Sequence, residues 1–371
     1  MANKPMKIKR NASVAGRKYK RTIAAKKILA LLFALAGLIA IGYFGAPAVV
    51  EFVNGLGENN DIVINQPSAE PTPTPGEIVE PTTNPGDVRT DVTEKTGVYA
   101  LVDVYSLTSD GGIEAAVADC AAKGVTHAVV TLKNADGFLH YESGTTIGTQ
   151  AKHNQTIDVK KVVDMFGAKD IEVVANIYAF KDKTTPNIDR STAVKYVGTD
   201  MNWWDNSQEF GGKPWANPAS GVMQQYIADL VQEIKTDFGI NDFMFSAVQL
   251  PEGYSLDKRD FGVSESALQA QVQGFIDNME AKVAAFGGDA FFAFDIAAAN
   301  GGDVAKYIVA PQRLGAANLA LVGTAADFET ADLESLSAKL KEDFSVEKIV
   351  FWNTEAALDG KAPETDSYFI K

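Results

Sequence analysis

The sequence predicts an α/β fold, a (β/α)8 barrel of the TIM type, which follows one transmembrane helix and a disordered linker. Three observations predict it: an uncharged apolar run near the N-terminus, a proline-rich stretch after it, and short β-branched runs that alternate with helical stretches from residue 97 onward. Such alternation implies parallel strands with helices outside. Residues 97–371 also match the typical barrel length of ~250 residues.

The charge of the chain is divided between two regions. Lys and Arg number 34 against 48 Asp and Glu, a net charge of -14, yet residues 1–27 carry ten basic residues and no acidic one. The remaining acidic body cannot neutralise phosphates, which excludes a nucleic-acid-binding domain after residue 27. One Cys and three His argue against a disulfide framework and a Cys/His zinc site. No phosphate-binding glycine loop is present, so we expect no cofactor. The placement of the three His gives no ligand spacing, so we expect no metal site.

Residues 28–50 predict a single transmembrane helix. They contain no charged residue and are long enough to span the ~30 Å hydrocarbon layer. The basic arm 1–27 in front of them is expected in the cytoplasm, and the C-terminal domain outside the cell membrane. Ala46-Pro47-Ala48 also fits a signal-peptide cleavage site, but the apolar run is longer than a usual signal peptide has. An uncleaved signal anchor is therefore favoured.

Residues 51–96 predict a linker. Prolines recur between residues 67 and 85 among Thr, Glu, Asn and Gly, with few large apolar side chains. Such a composition cannot build a core. Extended polyproline-like chain at ~3.1 Å per residue would hold the next domain away from the membrane.

Residues 97–371 predict the barrel itself. The predicted strands are residues 98–105, 127–133, 171–180, 242–250, 290–296, 318–322 and 348–352. The predicted helices are residues 113–123, 158–166, 219–238, 264–286, 303–309 and 331–343. A barrel needs eight strands, so one is short, missed or absent, and the pattern is least clear over residues 301–315. A doubly wound open sheet is the structural alternative.

The functional residues of such a barrel lie on the loops after the strands. Carboxylates occur there beside aromatic rings, which suggests carbohydrate, because sugars pack their CH faces on rings and pair their hydroxyls with polar groups. The long insertion 183–218 holds Trp203, Trp204 and Trp215 and predicts a lid or cleft wall. Trp204 is the predicted sugar platform, whereas the other two either line the cleft or bury the lid on the barrel rim.

Four runs along the chain carry a family resemblance. They are residues 127–137 with Tyr141, residues 173–182, residues 213–218 and residues 242–251. In this order they resemble a glycosyl hydrolase-like TIM-barrel family of bacterial envelope proteins, long catalogued as a domain of unknown function. The resemblance covers residues 97–356 and implies an envelope glycoside hydrolase. Lys133, Asp136, Gly137 and the run 180–182 match the family pattern, as does Asp295 in the fifth strand.

The departures from that family fall where its chemistry would act. The family usually has an acidic residue at Thr131, Arg at Asn176, Asp at Ser246 and Arg at Gln249. It also usually has acidic residues at Asn134 and Asn217. An alcohol cannot serve as the glycosyl nucleophile, because it is not ionised at neutral pH. The resemblance therefore implies weak or absent hydrolysis.

Two functions follow from this comparison. The first is a membrane-anchored glycoside hydrolase-like barrel that acts on an envelope or extracellular polysaccharide, with Asp295 as acid/base and Glu252 or Asp136 as partner. Its predicted sugar-binding residues are Lys133, Asn176, Trp204, Ser246, Gln249, Trp352 and Asn353. The alternative is a non-catalytic barrel that binds a glycan or a protein. If no second carboxylate lies within about 10 Å of Asp295, the enzyme hypothesis fails. A lysozyme-like barrel using Asp103 is a third, weaker possibility.

Overall fold

The computed structural model describes residues 96–358 and 360–371 of the chain. The predicted basic arm, transmembrane span and nearly all of the linker lie outside the described residues. None of the helices in the described part combines the length and the apolar character that crossing a bilayer requires.

Eight parallel strands close into a barrel within the described residues, as the alternation predicts. They are β1 (Val98–Val102), β2 (His127–Lys133), β3 (Glu172–Tyr178), β4 (Asp242–Ser246), β5 (Ala290–Asp295), β6 (Asn318–Gly323), β7 (Lys348–Asn353) and β8 (Ser367–Ile370). Each strand pairs in parallel with its neighbours in the chain, and β8 closes the barrel on β1. This closure excludes the open-sheet alternative.

Helices cover most of the barrel's outer face. They are α1 (Asp110–Ala122), α2 (Val159–Gly167), α3 (Thr185–Ile188), α4 (Gly221–Phe238), α5 (Glu265–Ala284), α6 (Ile296–Ala299), α7 (Ala325–Thr330) and α8 (Leu333–Phe344). Short 3-10 helices span Val104–Thr108, Arg190–Thr192, Gln208–Phe210, Leu256–Lys258 and Pro311–Leu314. The long helices begin where a Ser or Asp side chain accepts a first-turn N–H, as Ser220 does from Met223.

The eighth strand is β8, which the sequence pattern missed. It has four residues, too few to show a strand period, and follows β7 without an intervening helix. The unclear stretch 301–315 contains no strand, and the helix predicted over residues 303–309 is wrong. This segment is a loop because the N–H of Leu250 donates to the C=O of Lys306 (2.8 Å), which ties it to the loop after β4.

One side chain from each strand fills the middle of the barrel. This layer consists of Tyr99, Val129, Val174, Met244, Phe291, Ala320, Val350 and Phe369. Because side chains alternate along a strand, residues two positions earlier point into a lower layer at the N-terminal end of the barrel. Residues two positions later form an upper layer at its C-terminal mouth. The lower layer is largely polar and charged, whereas the upper layer contains Thr131, Asn176 and Ser246.

The insertion after β3 packs against the loop after β4, and we call residues 183–218 and 251–263 the lid. Lys195–Tyr196 pairs with Arg259–Asp260 in a two-stranded antiparallel sheet. Trp203 is fully buried and its indole N–H donates to the C=O of Ser255 (3.1 Å). Trp215, 4% exposed, packs in the same small cluster. These two tryptophans therefore hold the lid together.

Candidate active site

Asp295 and Glu252 come together on one lysine. Asp295 ends β5, and Glu252 lies in the loop after β4. Lys306 Nζ lies 3.0 Å from Asp295 Oδ2 and 3.4 Å from Glu252 Oε1. The two carboxylate oxygens are therefore at most about 6.4 Å apart, a separation compatible with glycosidase carboxyl pairs. All three side chains are about 40% exposed, so a ligand can reach them.

Lys306 is held between the two carboxylates by its own loop. The hydrogen bond from Leu250 fixes its backbone, and the next residue, Tyr307, accepts the N–H of Asp295 on its hydroxyl oxygen (3.1 Å). Partial burial lowers the pKa of Lys306, but hydrogen bonds and charges from Asp295 and Glu252 outweigh it and raise that pKa overall. Lys306 therefore stays protonated at neutral pH. Sequence reasoning missed it because its segment was predicted as a helix.

Lys133 lies inside the protein rather than on the cleft surface. Its Nζ is 2.8 Å from Asp182 Oδ2, both side chains have no exposed surface, and it also donates to the C=O of Tyr178 (2.7 Å). Asp182 additionally accepts the N–H groups of Thr184 and Thr185 (2.8 Å each) and the Thr185 hydroxyl (2.6 Å). This buried ion pair joins the end of β2 to the start of the lid.

Asp136 belongs to a second charged cluster at the lid. Its carboxylate oxygens lie 2.7 Å from Lys183 Nζ and 3.0 Å from Lys213 Nζ. Partial burial raises the pKa of Asp136, but hydrogen bonds and charges from the two lysines lower it overall. The structure thus places Asp136 among lid lysines and Glu252 beside Asp295, so of the two candidate partners Glu252 is the one brought to Asp295.

The three departures from the family pattern in the upper layer form one hydrogen-bonded chain. Ser246 Oγ donates to Asn176 Oδ1 (2.7 Å), and Asn176 Nδ2 donates to Thr131 Oγ1 (3.0 Å). Asn176 is 1% and Ser246 5% exposed. The acid, arginine and acid implied by the resemblance are therefore replaced together by neutral groups that satisfy one another. The barrel mouth is polar at these three positions but uncharged.

A cleft of about 390 Å³ opens beside Glu252. Two of the aromatic rings that line it, Phe210 and Tyr254, are 77% and 71% exposed, which leaves their faces available to a sugar. Lys181 and Lys213 add positive charge along the wall. Sequence analysis did not single out either ring, although Tyr254 is two residues from Glu252 along the chain; Phe210 is brought to Glu252 only by the packing of the lid.

The other predicted residues lie around this region in different settings. Trp204 is half-buried and lines a separate depression of about 480 Å³ on the lid. Gln249 is half-buried beside Tyr307. Trp352 stacks on Phe369 at 4.5 Å, and Asn353 Oδ1 accepts two backbone N–H groups of the following loop. These two residues border another groove, of about 480 Å³, on the β1 and β8 side.

Asp103 also borders that groove. Its side chain accepts the N–H of Tyr105 (3.1 Å) and so caps the 3-10 helix after β1. This contact is a local capping interaction.

The sequence of this chain is similar to a known protein family. A family model described as "Putative glycosyl hydrolase domain" matches residues 97–306, a range that begins just before β1 and ends at Lys306. No curated protein matches the sequence.

Several solved structures are similar to the chain. A hypothetical protein from Ruminiclostridium thermocellum is 21% identical, with a TM-score of 0.44, over 52% of this chain and 96% of its own. A GH20 exo-β-N-acetylglucosaminidase from Vibrio harveyi is 12% identical, with a TM-score of 0.45, over 70% of this chain and 41% of its own. A chitobiase from Flavobacterium johnsoniae is 10% identical, with a TM-score of 0.47, over 70% and 38%. The chain thus spans less than half the length of the last two.

Proposed function

We propose that the barrel of this chain is a slow glycoside hydrolase acting on a polysaccharide. The premise is that the chain belongs to the glycosyl hydrolase-like family whose model matches residues 97–306. The observation that carries the proposal is the pair of carboxylates, Asp295 and Glu252, on one lysine at the C-terminal mouth of the barrel. Active sites of this architecture lie at that mouth. The exposed rings of Phe210 and Tyr254 beside Glu252 supply surfaces on which sugars can stack.

The proposed chemistry divides two roles between the carboxyl groups. Asp295, protonated once Lys306 is displaced from it, donates its proton to the glycosidic oxygen, while Glu252 attacks the anomeric carbon and the leaving sugar departs. Asp295 then takes a proton from the water that hydrolyses the glycosyl-enzyme bond. An oxygen separation of at most about 6.4 Å suits a retaining mechanism, in which the carboxyl groups are ~5–5.5 Å apart, better than an inverting one. Before either group can face the substrate, a sugar hydroxyl must displace Lys306. This displacement is the physical reason for expecting slow turnover.

Hydrolysis of a panel of neutral, acidic and N-acetylated polysaccharides by the full chain tests this proposal. Asp295→Asn and Glu252→Gln are each expected to lower the release of reducing ends about 10²–10⁴-fold, because each removes a group used in bond cleavage. Glu329→Gln, a change at an exposed glutamate after β6, is the control and should leave the rate unchanged. Cleavage that survives both test substitutions would refute the carboxylate pair.

A non-catalytic glycan-binding barrel is the second candidate. The neutral chain of Thr131, Asn176 and Ser246 supports it, because these groups supply neither an acid nor a nucleophile at the barrel mouth. In the same assay this alternative predicts polysaccharide binding without cleavage by the unaltered chain.

We also propose that residues 28–50 anchor the chain in the cell membrane, with the barrel outside. The uncharged run and the ten basic residues before it support this orientation. The barrel would then reach envelope or extracellular polysaccharide at the end of the proline-rich linker. Cell fractionation should recover the chain in membranes, from which detergent but not high salt releases it. Recovery in the soluble fraction would contradict the anchor.

A further inference from the structure

A cluster of possible metal ligands lies in the lower layer, at the opposite end of the barrel from Asp295. His127, Glu172 and Asp242 begin the three adjacent strands β2, β3 and β4. One imidazole nitrogen and one oxygen from each carboxylate all lie within 4.8 Å of one another. They border a cavity of about 360 Å³ that the proposed hydrolase chemistry does not use.

The imidazole of His127 is oriented for ligation. Its Nδ1 lies 2.7 Å from Thr126 Oγ1, and that hydroxyl also contacts the C=O of Val98 (3.1 Å). When the hydroxyl donates to this carbonyl, Nδ1–H is the donor to Oγ1 and a lone pair remains on Nε2. Tyr99 stacks on the ring at 4.4 Å and fixes its plane.

That lone pair faces a carboxylate. Nε2 lies 3.7 Å from Glu172 Oε2. In that tautomer the two acceptor atoms repel each other, whereas a cation between them would be attracted to both. The orientation of His127 is therefore that of a ligand.

The lower layer carries more negative than positive charge. Glu172, Asp242 and Asp289 border the cavity together with Lys348, whose Nζ lies 2.7 Å from Asp289 Oδ2. The like charges of these three carboxylates repel one another around the cavity. Such mutual repulsion is relieved when a divalent cation binds the carboxylates.

A buried amide oxygen in the same layer has no hydrogen-bond partner in the described part of the chain. Asn318 is 7% exposed and lies two residues before Ala320 of the middle layer, so its side chain points into the lower layer. Its Nδ2 donates to Asp289 Oδ1 (3.4 Å), while its Oδ1 is unsatisfied. This oxygen adds one more acceptor to the layer that contains the three proposed ligands.

We propose that His127, Glu172 and Asp242 bind one divalent transition-metal ion, for which Zn²⁺ is the best match. An imidazole nitrogen with carboxylate oxygens is a zinc ligand set, and imidazole disfavours Mg²⁺. Ligand atoms ~2.1 Å from a tetrahedral ion lie about 3.4 Å apart, so the cluster must contract on binding. The Glu172 side chain, 69% exposed, can make this movement. The ion would tie three neighbouring strands together at the end of the barrel that serves stability.

Calorimetric titration of the chelator-treated full chain with ZnCl₂ tests the site. We expect one Zn²⁺ per chain, no comparable binding of MgCl₂, and a thermal unfolding midpoint that rises with Zn²⁺. Glu172→Gln and Asp242→Asn should each weaken Zn²⁺ binding at least about 10-fold. Glu347→Gln changes an exposed carboxylate on the same cavity and should bind as the unaltered chain does.

Three results would overturn the proposal. They are the absence of stoichiometric Zn²⁺ binding, a Zn²⁺ affinity of Glu172→Gln and Asp242→Asn equal to that of the unaltered chain, and loss of binding in the Glu347→Gln control. Circular dichroism verifies that each variant is folded, and Glu172→Gln, an isosteric change at an exposed side chain, keeps the test decisive if Asp242→Asn does not fold.

Discussion

Replacing Lys133 with methionine is expected to lower the free energy of unfolding by about 3–5 kcal/mol. The substitution leaves Asp182 as a carboxylate with no exposed surface and, among the described residues, no cation within 4 Å, and it removes the hydrogen bond to the Tyr178 C=O. Asp182→Asn should cost a similar amount, because it leaves the Lys133 ammonium buried without its charged partner. Urea denaturation of each variant at neutral pH measures both effects.

A double variant and a surface pair provide the controls. Lys133→Met combined with Asp182→Asn should cost less than the sum of the two single changes, because neither buried charge is then left alone. Lys123 and Asp119 form an exposed pair with the same N–O distance of 2.8 Å. Asp119→Asn should therefore cost less than about 1 kcal/mol. If Lys133→Met and Asp182→Asn also cost less than about 1 kcal/mol of unfolding free energy, the buried pair would not stabilise the fold.

Gly137→Ala is the second substitution with a large expected effect, a loss of about 3 kcal/mol or more of unfolding free energy. Gly137 has a φ of +87°, and an added Cβ would lie 1.9 Å from Asp182 Oδ1. The alanine must therefore either distort the turn after β2 or push Asp182 away from Lys133. Denaturant unfolding at neutral pH measures the loss.

Gly124 provides a matched control for the cost of placing alanine at a positive φ without a steric clash. Gly124 also has a positive φ, +68°, but an added Cβ there meets nothing within 4 Å. Gly124→Ala should cost only about 1 kcal/mol of conformational strain. In an Asp182→Ala background, Gly137→Ala should fall to the same level, since the carboxylate is gone. Equal costs in both backgrounds would show that the contact with Asp182 does not matter.

Both substitutions test the junction that positions the lid. Asp182 immediately precedes the lid, and the N–H and hydroxyl of Thr184 donate to the C=O of Asp136, so one buried cluster joins β2 to the lid. The lid in turn carries the exposed ring of Phe210 to the cleft beside Glu252. We expect variants at the junction to weaken any polysaccharide binding as well as the fold.

Much of the fold could be predicted because its determinants are local. Seven of the barrel strands lie within or near their predicted ranges, since apolar β-branched runs report strand formation directly. β8 has only four residues, so it carries too little periodic signal and is recognised by its pairing with β1 and β7. The loop around Lys306 has helix-compatible residues, and a long-range hydrogen bond from Leu250 overrides them.

The candidate site was likewise predictable only in part. Asp295 and Glu252 were expected at the barrel mouth because each follows or ends a strand, and parallel strands bring their ends to one face. Lys306 and Phe210 could not be chosen, because their positions depend on how the loops pack on one another, whereas Tyr254, two residues from Glu252, could have been. The motif residue Lys133 matched the family pattern, yet only the fold shows that it is buried against Asp182.

The amino-acid sequence by itself determined the order of strands and helices, the segregation of basic and acidic residues, and the absence of charge over residues 28–50. These properties are local or compositional, so they need no knowledge of which residues meet. The tertiary structure alone decided that Glu252 is the carboxylate beside Asp295, that Thr131, Asn176 and Ser246 form one neutral chain, and that a histidine and two acids gather below the barrel. Those pairings arise because the ends of eight strands lie close together in the barrel. The spacing of residues along the chain does not show which of them will be in contact.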